Sequence, residues 1–312
     1  MRETVRNFTL AGYKIILSYD ITIGVWNVTR TFIRNFFRLY FPRVWFCFKY
    51  RSLDRRIKEK DLVILVFQMG KVGSRTITRS LEVLDIPTYH VHNLVCMSEE
   101  IVGNSFFAEL NARYIYKHLI KGLNCRKLKI ISLVREPVVR NISAFFARIN
   151  TTSDYLSSIA RQKSLTLENL LDIFQNYFPH DQPLTWFDME LKPVFGIDVY
   201  NEPFPQTQGY KIYTGDHPDL LLLKLETLND CAQEAFEKFL GIENFTMLKA
   251  NIARHKAYYP LYQHFLSAKL LPQPYIERMY ASKYARHFYT EEELNRFQKN
   301  WVPQTTNESE YD

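Results

Sequence analysis

Residues 62–84, LVILVFQMGKVGSRTITRSLEVL, constrain this 312-residue chain more than any other stretch. Leu62 to Phe67 is a continuous apolar run of strand length, as in a parallel strand buried on both faces. Gly70 and Gly73 bracket Lys71 at a tight turn. Ile77, Leu81 and Leu84 then recur at helical spacing and give the next helix a core face. Ser74 is placed to cap that helix with its hydroxyl. A strand, a glycine turn and a helix N-terminus together make an anion site. Free N–H groups and the positive end of the helix dipole converge there, and Lys71 adds a full charge. The bland alternative is an ordinary turn with a solvated lysine, but Lys71, Ser74, Arg75 and Thr76 crowd the two glycines, which favours phosphate.

A nucleoside triphosphatase loop would read G-x-x-x-x-G-K-[ST], and a dinucleotide fold G-x-G-x-x-G; neither pattern is present. A second stretch repeats the architecture. KIISLVR, residues 129–135, is another buried-strand pattern, followed by Glu136, Pro137 and the helical run VVRNISAFFARI. Pro137 suits a first helical turn. Arg135 leaves the strand end and Ser143 follows inside the helix.

Together these stretches resemble the sulfotransferases. Lys71-Val72-Gly73-Ser74-Arg75 is similar to their phosphosulfate loop. Arg135, a proline two residues on, and Ser143 resemble the segment that grips the cofactor's 3′-phosphate, where arginine supplies a fork and serine a hydroxyl donor. Taken alone, Arg135 is compatible with a surface ion pair and Ser143 with helix packing. The resemblance is specific over residues 62–148. It implies a sulfotransferase-like, P-loop-related three-layer α/β fold with a central parallel sheet, and 3′-phosphoadenosine 5′-phosphosulfate (PAPS) as cofactor. Gly70, Lys71, Val72, Gly73, Ser74, Arg75, Thr76, Arg135 and Ser143 would bind it. Further on, PLTWFDMELK and SKYARHFY resemble a bacterial branch linked to capsular polysaccharide synthesis, and Glu226 with Leu228 resembles a fold-supporting sulfotransferase segment.

With 46% hydrophobic and 15% aromatic residues the chain can bury a sizeable core, which excludes global disorder. Its four cysteines are far apart and form no C-x-x-C. That suggests free thiols in a reducing compartment and hence a cytoplasmic setting. The net charge of +7 is uneven: residues 1–60 carry +9 and the remainder −2. The basicity therefore belongs to the N-terminal segment, which weakens a nucleic-acid reading. The expected division is a basic aromatic segment over 1–60, an α/β domain over 61–302 and a polar tail over 303–312.

In the N-terminal segment Lys14 and Asp20 interrupt the apolar run over 10–28, a poor membrane span. Over 28–41 the spacing suits an amphipathic helix with arginines on its polar face. It is either a peripheral anchor on an anionic membrane or a helix packed on the domain. Past the first motif, Pro87 to Leu94 reads as a second strand carrying His90 and His92 on one face, and Ser105 to Leu123 as a helix. This order indicates a mostly parallel sheet with helices on both faces, whose ligand sits at the carboxyl ends of the strands. Residues 150–164 read as a polar loop, Leu165 to Phe178 as a helix, and the proline-rich stretch over 178–204 as loops and short pieces. Leu220 to Leu225 reads as a strand, Asn229 to Leu240 as a helix, and residues 257–301 as helical.

Sulfuryl transfer moves a group in line between two oxygens, so the protein must position reactants, neutralise charge and accept a proton. Lys71 would stabilise the leaving phosphate. His90, His92 and Glu190 are the candidate bases, with His92 nearest the carboxyl end of its strand; a near-neutral imidazole suits the role. His90 and His92 lack a third ligand at a diagnostic zinc spacing, and no metal is expected. Trp186, Phe187 and Asp188 could meet a sugar; alternatively the segment is a structural turn with an acid paired to Lys192. The expected activity is transfer of a sulfuryl group from PAPS to a hydroxyl on a carbohydrate. A P-loop-like kinase of polysaccharide assembly is the enzymatic alternative, and an inactive membrane-associated scaffold the non-enzymatic one.

Overall fold

The computed structural model describes residues 62–95, 128–151, 154–163, 165–248 and 256–302, with residues 41, 44, 112 and 115 as isolated positions. The chain divides into two compact units, Met1–Arg55 and Arg56–Asp312, and the sheet belongs to the second. The basic helix expected over 28–41, most of the helix expected over 105–123 and the polar tail lie outside the described residues.

Five strands form one sheet in the order β2-β1-β3-β5-β4. They are β1 (Val63–Phe67), β2 (Thr88–Val91), β3 (Leu128–Val134), β4 (Tyr210–Tyr213) and β5 (Leu220–Lys224). The first four in spatial order run parallel, while β4 is antiparallel to β5. Every residue of β1 and β5 is buried, which is why both read as unbroken apolar runs rather than alternating ones. The register sets Val66 opposite Ile131, so β3 runs on past the end of β1 to Val134 before the chain leaves the sheet. The chain leaves both strands at the same edge.

Helix α1 (Ser74–Val83) follows β1 and α2 (Pro137–Ile149) follows β3. The Glu136 carboxylate caps α2 by accepting from the Val138 and Val139 N–H groups at 2.8 and 2.7 Å. Residues 150–164 are not a polar loop throughout. Asp154 accepts from Leu156 N–H and starts α3 (Tyr155–Gln162), and the Arg148 guanidinium pins Asp154 at 2.9 Å. Next come α4 (Leu167–Tyr177), α5 (Gln182–Trp186), a π-helical turn (Phe187–Leu191) and α6 (Lys192–Phe195). Pro183 and Pro193 sit in first helical turns, where they cost nothing. The stretch expected as loops and short pieces thus holds a continuous run of short helical pieces over 182–195, flanked by loops. Helices α7 (Leu228–Leu240), α8 (Tyr259–Ala268), α9 (Gln273–Tyr280), α10 (Lys283–Phe288) and α11 (Glu291–Lys299) complete the chain.

A second core lies among the helices. Phe145 of α2 packs on Phe146, Phe174, Phe178 and Phe265, with ring centroids 5.3 to 6.2 Å apart. No helix among the described residues is long and apolar enough to cross a membrane.

The C-terminal helices are tied to the sheet by a buried charge. Lys224, at the end of β5, is fully buried, and its ammonium donates to both carboxylate oxygens of Glu293 at 2.8 and 2.9 Å. The same carboxylate accepts from Thr290 N–H in the capping box of α11. Removing one member of a buried pair strands the other. Glu293→Ala should lower the unfolding free energy by about 3–5 kcal/mol in urea titrations. Adding Lys224→Met should recover much of that loss; equal stability of Glu293→Ala and the parent would dismiss the assigned role.

Candidate active site

The turn between β1 and α1 is built from left-handed backbone. Lys71 has φ 74° and Gly73 has φ 95°. The positive φ favours glycine at Gly73, and a β-carbon there would also displace the Leu225 side chain, whose Cδ1 would lie 2.7 Å away. Gly73 occupies the N-cap of α1 with no side-chain cap, and Ser74 is the first, buried, helical residue. The expectation of a Ser74 cap is thus corrected by one position. Its consequence is favourable to an anion, because the N–H groups of Gly73, Ser74 and Arg75 meet no protein acceptor among the described residues. Val72 is buried at the turn, Arg75 is exposed, and Thr76 N–H returns to the Gly73 carbonyl at 3.1 Å.

Two guanidinium groups hold this turn. Arg135 Nη1 donates to the Lys71 carbonyl at 2.8 Å, and Arg140 Nε donates to the Gly70 carbonyl at 2.9 Å. The two sequence motifs are therefore joined by a direct bond. Arg135 is itself fixed by Tyr284, whose hydroxyl accepts from its N–H at 3.0 Å and donates to its carbonyl at 2.9 Å. Ser143 is half-buried on α2, three residues beyond Arg140 and on the same side of the helix.

Burial pushes the Lys71 ammonium down to about 8, with Arg135, Lys256, Arg75 and Arg140 adding like-charge repulsion. The site is strongly cationic, and an arriving anion would relieve that repulsion.

His92 lies just past β2. Its Nδ1 sits 2.8 Å from the Gln68 carbonyl. A carbonyl can only accept, so Nδ1 carries the proton and Nε2 keeps its lone pair. A β-carbon on Gly70 would be 3.9 Å from that Nε2, so the lone pair lies beside the turn. Burial, together with Arg140 and Lys71, lowers the imidazole pKa and keeps it neutral. His90 stands edge-on to it, with ring centroids 4.6 Å apart.

Glu190 is placed differently. Its buried carboxylate accepts from Asn93 Nδ2 at 2.9 Å, Leu94 N–H at 2.8 Å and Val95 N–H at 3.0 Å. It pins the segment after His92, and three donors occupy its two oxygens. Lys192 pairs with Asp198 at 2.7 Å rather than with an acid of its own segment. Trp186 and Phe187 are 2% and 1% exposed. The expectation that they stack on a sugar ring is corrected: Trp186 packs on Phe67 and donates its indole N–H to the His92 carbonyl at 2.9 Å. Phe187 packs on Tyr284 and Phe288. Asp188 is exposed.

Three residues to which the sequence assigns no role emerge here. Arg140 clamps the turn; positions 136, 140 and 143 share one helical face, and that spacing is a signal the sequence does carry. Gln68 is fully buried at the end of β1, and neither atom of its side-chain amide has a partner. Such orphans in a native fold mark a bound water or a ligand. Glu136 lies buried beneath the site beside Glu226, whose Oε1 accepts from Glu136 N–H at 2.8 Å. Among the described residues no cluster of three or more His, Cys, Asp or Glu is placed to hold a metal ion.

Burial raises the Glu136 carboxyl from 4.5 to about 7, against hydrogen bonds from Tyr280, Val139 and Val138. The folded state therefore holds a proton that the unfolded chain has released between those values. Its contribution to stability is full below pH 4.5 and is lost as pH rises through 7. Glu136→Gln should flatten that part of the pH dependence of unfolding free energy; identical profiles for parent and variant would show that Glu136 does not titrate there.

A family model described as "Putative capsular polysaccharide synthesis protein" matches residues 158–290. The matched stretch contains β4, β5, Trp186, Glu190 and Tyr284, whereas the 70–74 turn, His92, Arg135 and Arg140 lie outside it. No curated protein and no solved structure matches the chain.

Proposed function

We propose that this chain is a sulfotransferase that moves a sulfuryl group from PAPS to a hydroxyl of a carbohydrate, in the setting of capsular polysaccharide synthesis. The observation that carries it is the Arg135 to Lys71 carbonyl bond. It joins a cationic turn opening one helix to an arginine leaving the neighbouring parallel strand. The P-loop-related form of the fold belongs to this proposal; the sheet itself is mixed, with four parallel strands and an antiparallel edge. The family description for residues 158–290 supports the polysaccharide setting.

The residues fit a nucleotide with two anionic groups: free N–H groups at the α1 N-terminus, the Lys71 ammonium, the Arg135 guanidinium and an unpartnered Gln68 amide. PAPS, when bound, supplies the sulfuryl group and a phosphate leaving group. His92 Nε2 would accept the proton of the acceptor hydroxyl. Lys71 and the helix N-terminus would hold the phosphosulfate end and offset the negative charge of its phosphate. Arg135 and Ser143 would hold the 3′-phosphate. His92 takes the base role over Glu190, whose carboxylate is committed to three donors. The protein works on the cytoplasmic side, with residues 1–60 as its contact to an anionic membrane.

Adenosine 3′,5′-bisphosphate should raise the melting temperature without magnesium. Stabilisation only by a nucleoside triphosphate with magnesium would replace this activity with a kinase; stabilisation by neither would favour a scaffold. Lys71→Ala and Arg135→Ala should each weaken bisphosphate binding roughly 10- to 150-fold, the loss of one charge-assisted bond, as read by titration calorimetry. Unchanged affinity in both removes the cofactor assignment. His92→Ala should cut turnover about 10²–10⁴-fold while affinity barely moves. Turnover in the parent should rise as the His92 imidazole loses its proton and fall as pH passes about 8, where Lys71 loses its own. His92→Ala should erase the lower limb, and retention of that limb would move the base elsewhere.

A further inference from the structure

Arg140 is 1% exposed, and three of its nitrogens end on neutral oxygens. Nε donates to the Gly70 carbonyl at 2.9 Å, Nη1 to Asn141 Oδ1 at 3.0 Å and Nη2 to Gln182 Oε1 at 2.5 Å. Among the described residues it forms no ion pair. Two other cations of the fold are treated differently. Arg148, two turns further along α2, is paired with Asp154, and Lys224 with Glu293. Burial lowers Arg140 only to about 10, so it is charged at neutral pH. The charges that bear on it or that it bears on are Arg135, Arg148, Lys71 and His92, with Tyr275 and Tyr284 as the polar neighbours. None of these supplies a negative charge at neutral pH. A buried cation without a counter-ion is costly in a folded protein.

The Gly70 bond shows where the compensating charge belongs. The C=O and N–H of one peptide point in opposite directions. A guanidinium that claims the Gly70 carbonyl therefore turns the Lys71 N–H away from itself. The Arg135 bond does the same one peptide later, for Val72. The outcome is the left-handed turn at Lys71, in the alternation with Gly73 that lets successive N–H groups cradle an anion.

We infer that Arg140 is the positioning residue of the anion site: it sets the Gly70–Lys71 peptide, and it takes its counter-charge from the ligand bound at the turn. This rests on the proposed anion site and not on which nucleotide fills it. Arg140 touches no reacting atom; it acts through the Gly70 carbonyl and through its charge on Lys71.

The test uses the full chain, with inorganic phosphate and adenosine 3′,5′-bisphosphate as probes, titrated calorimetrically from about pH 6 to 9.5. Affinity of the parent for both should fall as pH climbs through about 8, the Lys71 ammonium. In Arg140→Gln, binding of both should weaken at least tenfold, and that midpoint should move upward because a cation has left the surroundings of Lys71. Arg140→Lys, which keeps the charge and loses the fork, should weaken binding less and keep the midpoint. A purely structural role would weaken binding without moving the midpoint, and that result, or unchanged affinity in folded Arg140→Gln, overturns the inference. Should Arg140→Gln not fold, Arg140→Lys decides, since unchanged phosphate affinity there overturns it equally. Uptake of phosphate but not bisphosphate by the parent would sink the nucleotide reading and leave Arg140 standing. Bisphosphate binding indifferent to Arg140→Gln would do the reverse, and binding of neither probe would sink both.

Discussion

The carbonyls of Gly70 and Lys71 are each held from behind by a guanidinium, and the geometry of the site depends on those two bonds. A non-glycine residue in the left-handed region costs about 1–2 kcal/mol, and Lys71 sits there with φ 74°. A hydrogen bond from a charged donor contributes about 1.5–3 kcal/mol. Two such bonds outweigh the strain, so the turn is a stable state rather than a fluctuation. A lysine, which no turn preference would place in this conformation, is thereby fixed at the mouth of a helix. The helix begins with uncapped N–H groups because glycine, not serine, stands at its N-cap.

Support for these guanidinium groups comes from remote parts of the chain. Arg135 is the first residue beyond β3, where the ladder to β5 ends at Val134 and Lys224. The Tyr284 hydroxyl takes over there, satisfying both backbone groups of Arg135. Glu226 does the same for Glu136 N–H while accepting from Tyr289. On the other side, Trp186 and Glu190 hold His92 and the three residues after it. One helical segment thus orients His92, and the last third of the chain orients Arg135.

The parts of this arrangement that follow from local pattern are legible in the sequence. Buried parallel strands announce themselves as apolar runs, which locates β1, β3 and β5 within one or two residues. The glycine turn and the Arg135 exit are visible because each is a short motif with its own backbone logic. What stays hidden depends mostly on partners distant in sequence, with helix α3 a local exception. Helix α3 looks like a serine-rich loop, but Asp154 caps it under the grip of Arg148, and Ser157 and Ser158 return their hydroxyls to nearby carbonyls. The edge strand β4 has only four residues, two of them half-buried, and gains its identity from β5. Trp186 and Phe187 suggest a sugar platform because an aromatic pair beside acids suits a binding surface and a core equally well. Their burial under Phe67, Tyr284 and Phe288 is a tertiary fact. The spacing puts Arg140 on one helical face with Glu136 and Ser143, but nothing in its neighbours shows that this face meets a loop carbonyl seventy positions away.

The family-matched stretch over residues 158–290 is not a structural module, and its boundaries cut through contacts of two kinds. Some are blind to sequence. Tyr284 meets only the backbone of residue 135, and Glu190 meets the N–H groups of residues 94 and 95. Any chain following the same path could serve as their partner. Others demand a particular side chain across the boundary. Lys224 inside the stretch needs an acid at position 293 outside it, and Gln182 inside meets the guanidinium at position 140 outside. Asn93, Asn141 and Trp301 likewise reach into the stretch through their side chains. Portability of this segment therefore depends on the side chains at several outside positions, foremost the two where a buried cation has its partner on the opposite side of a cut.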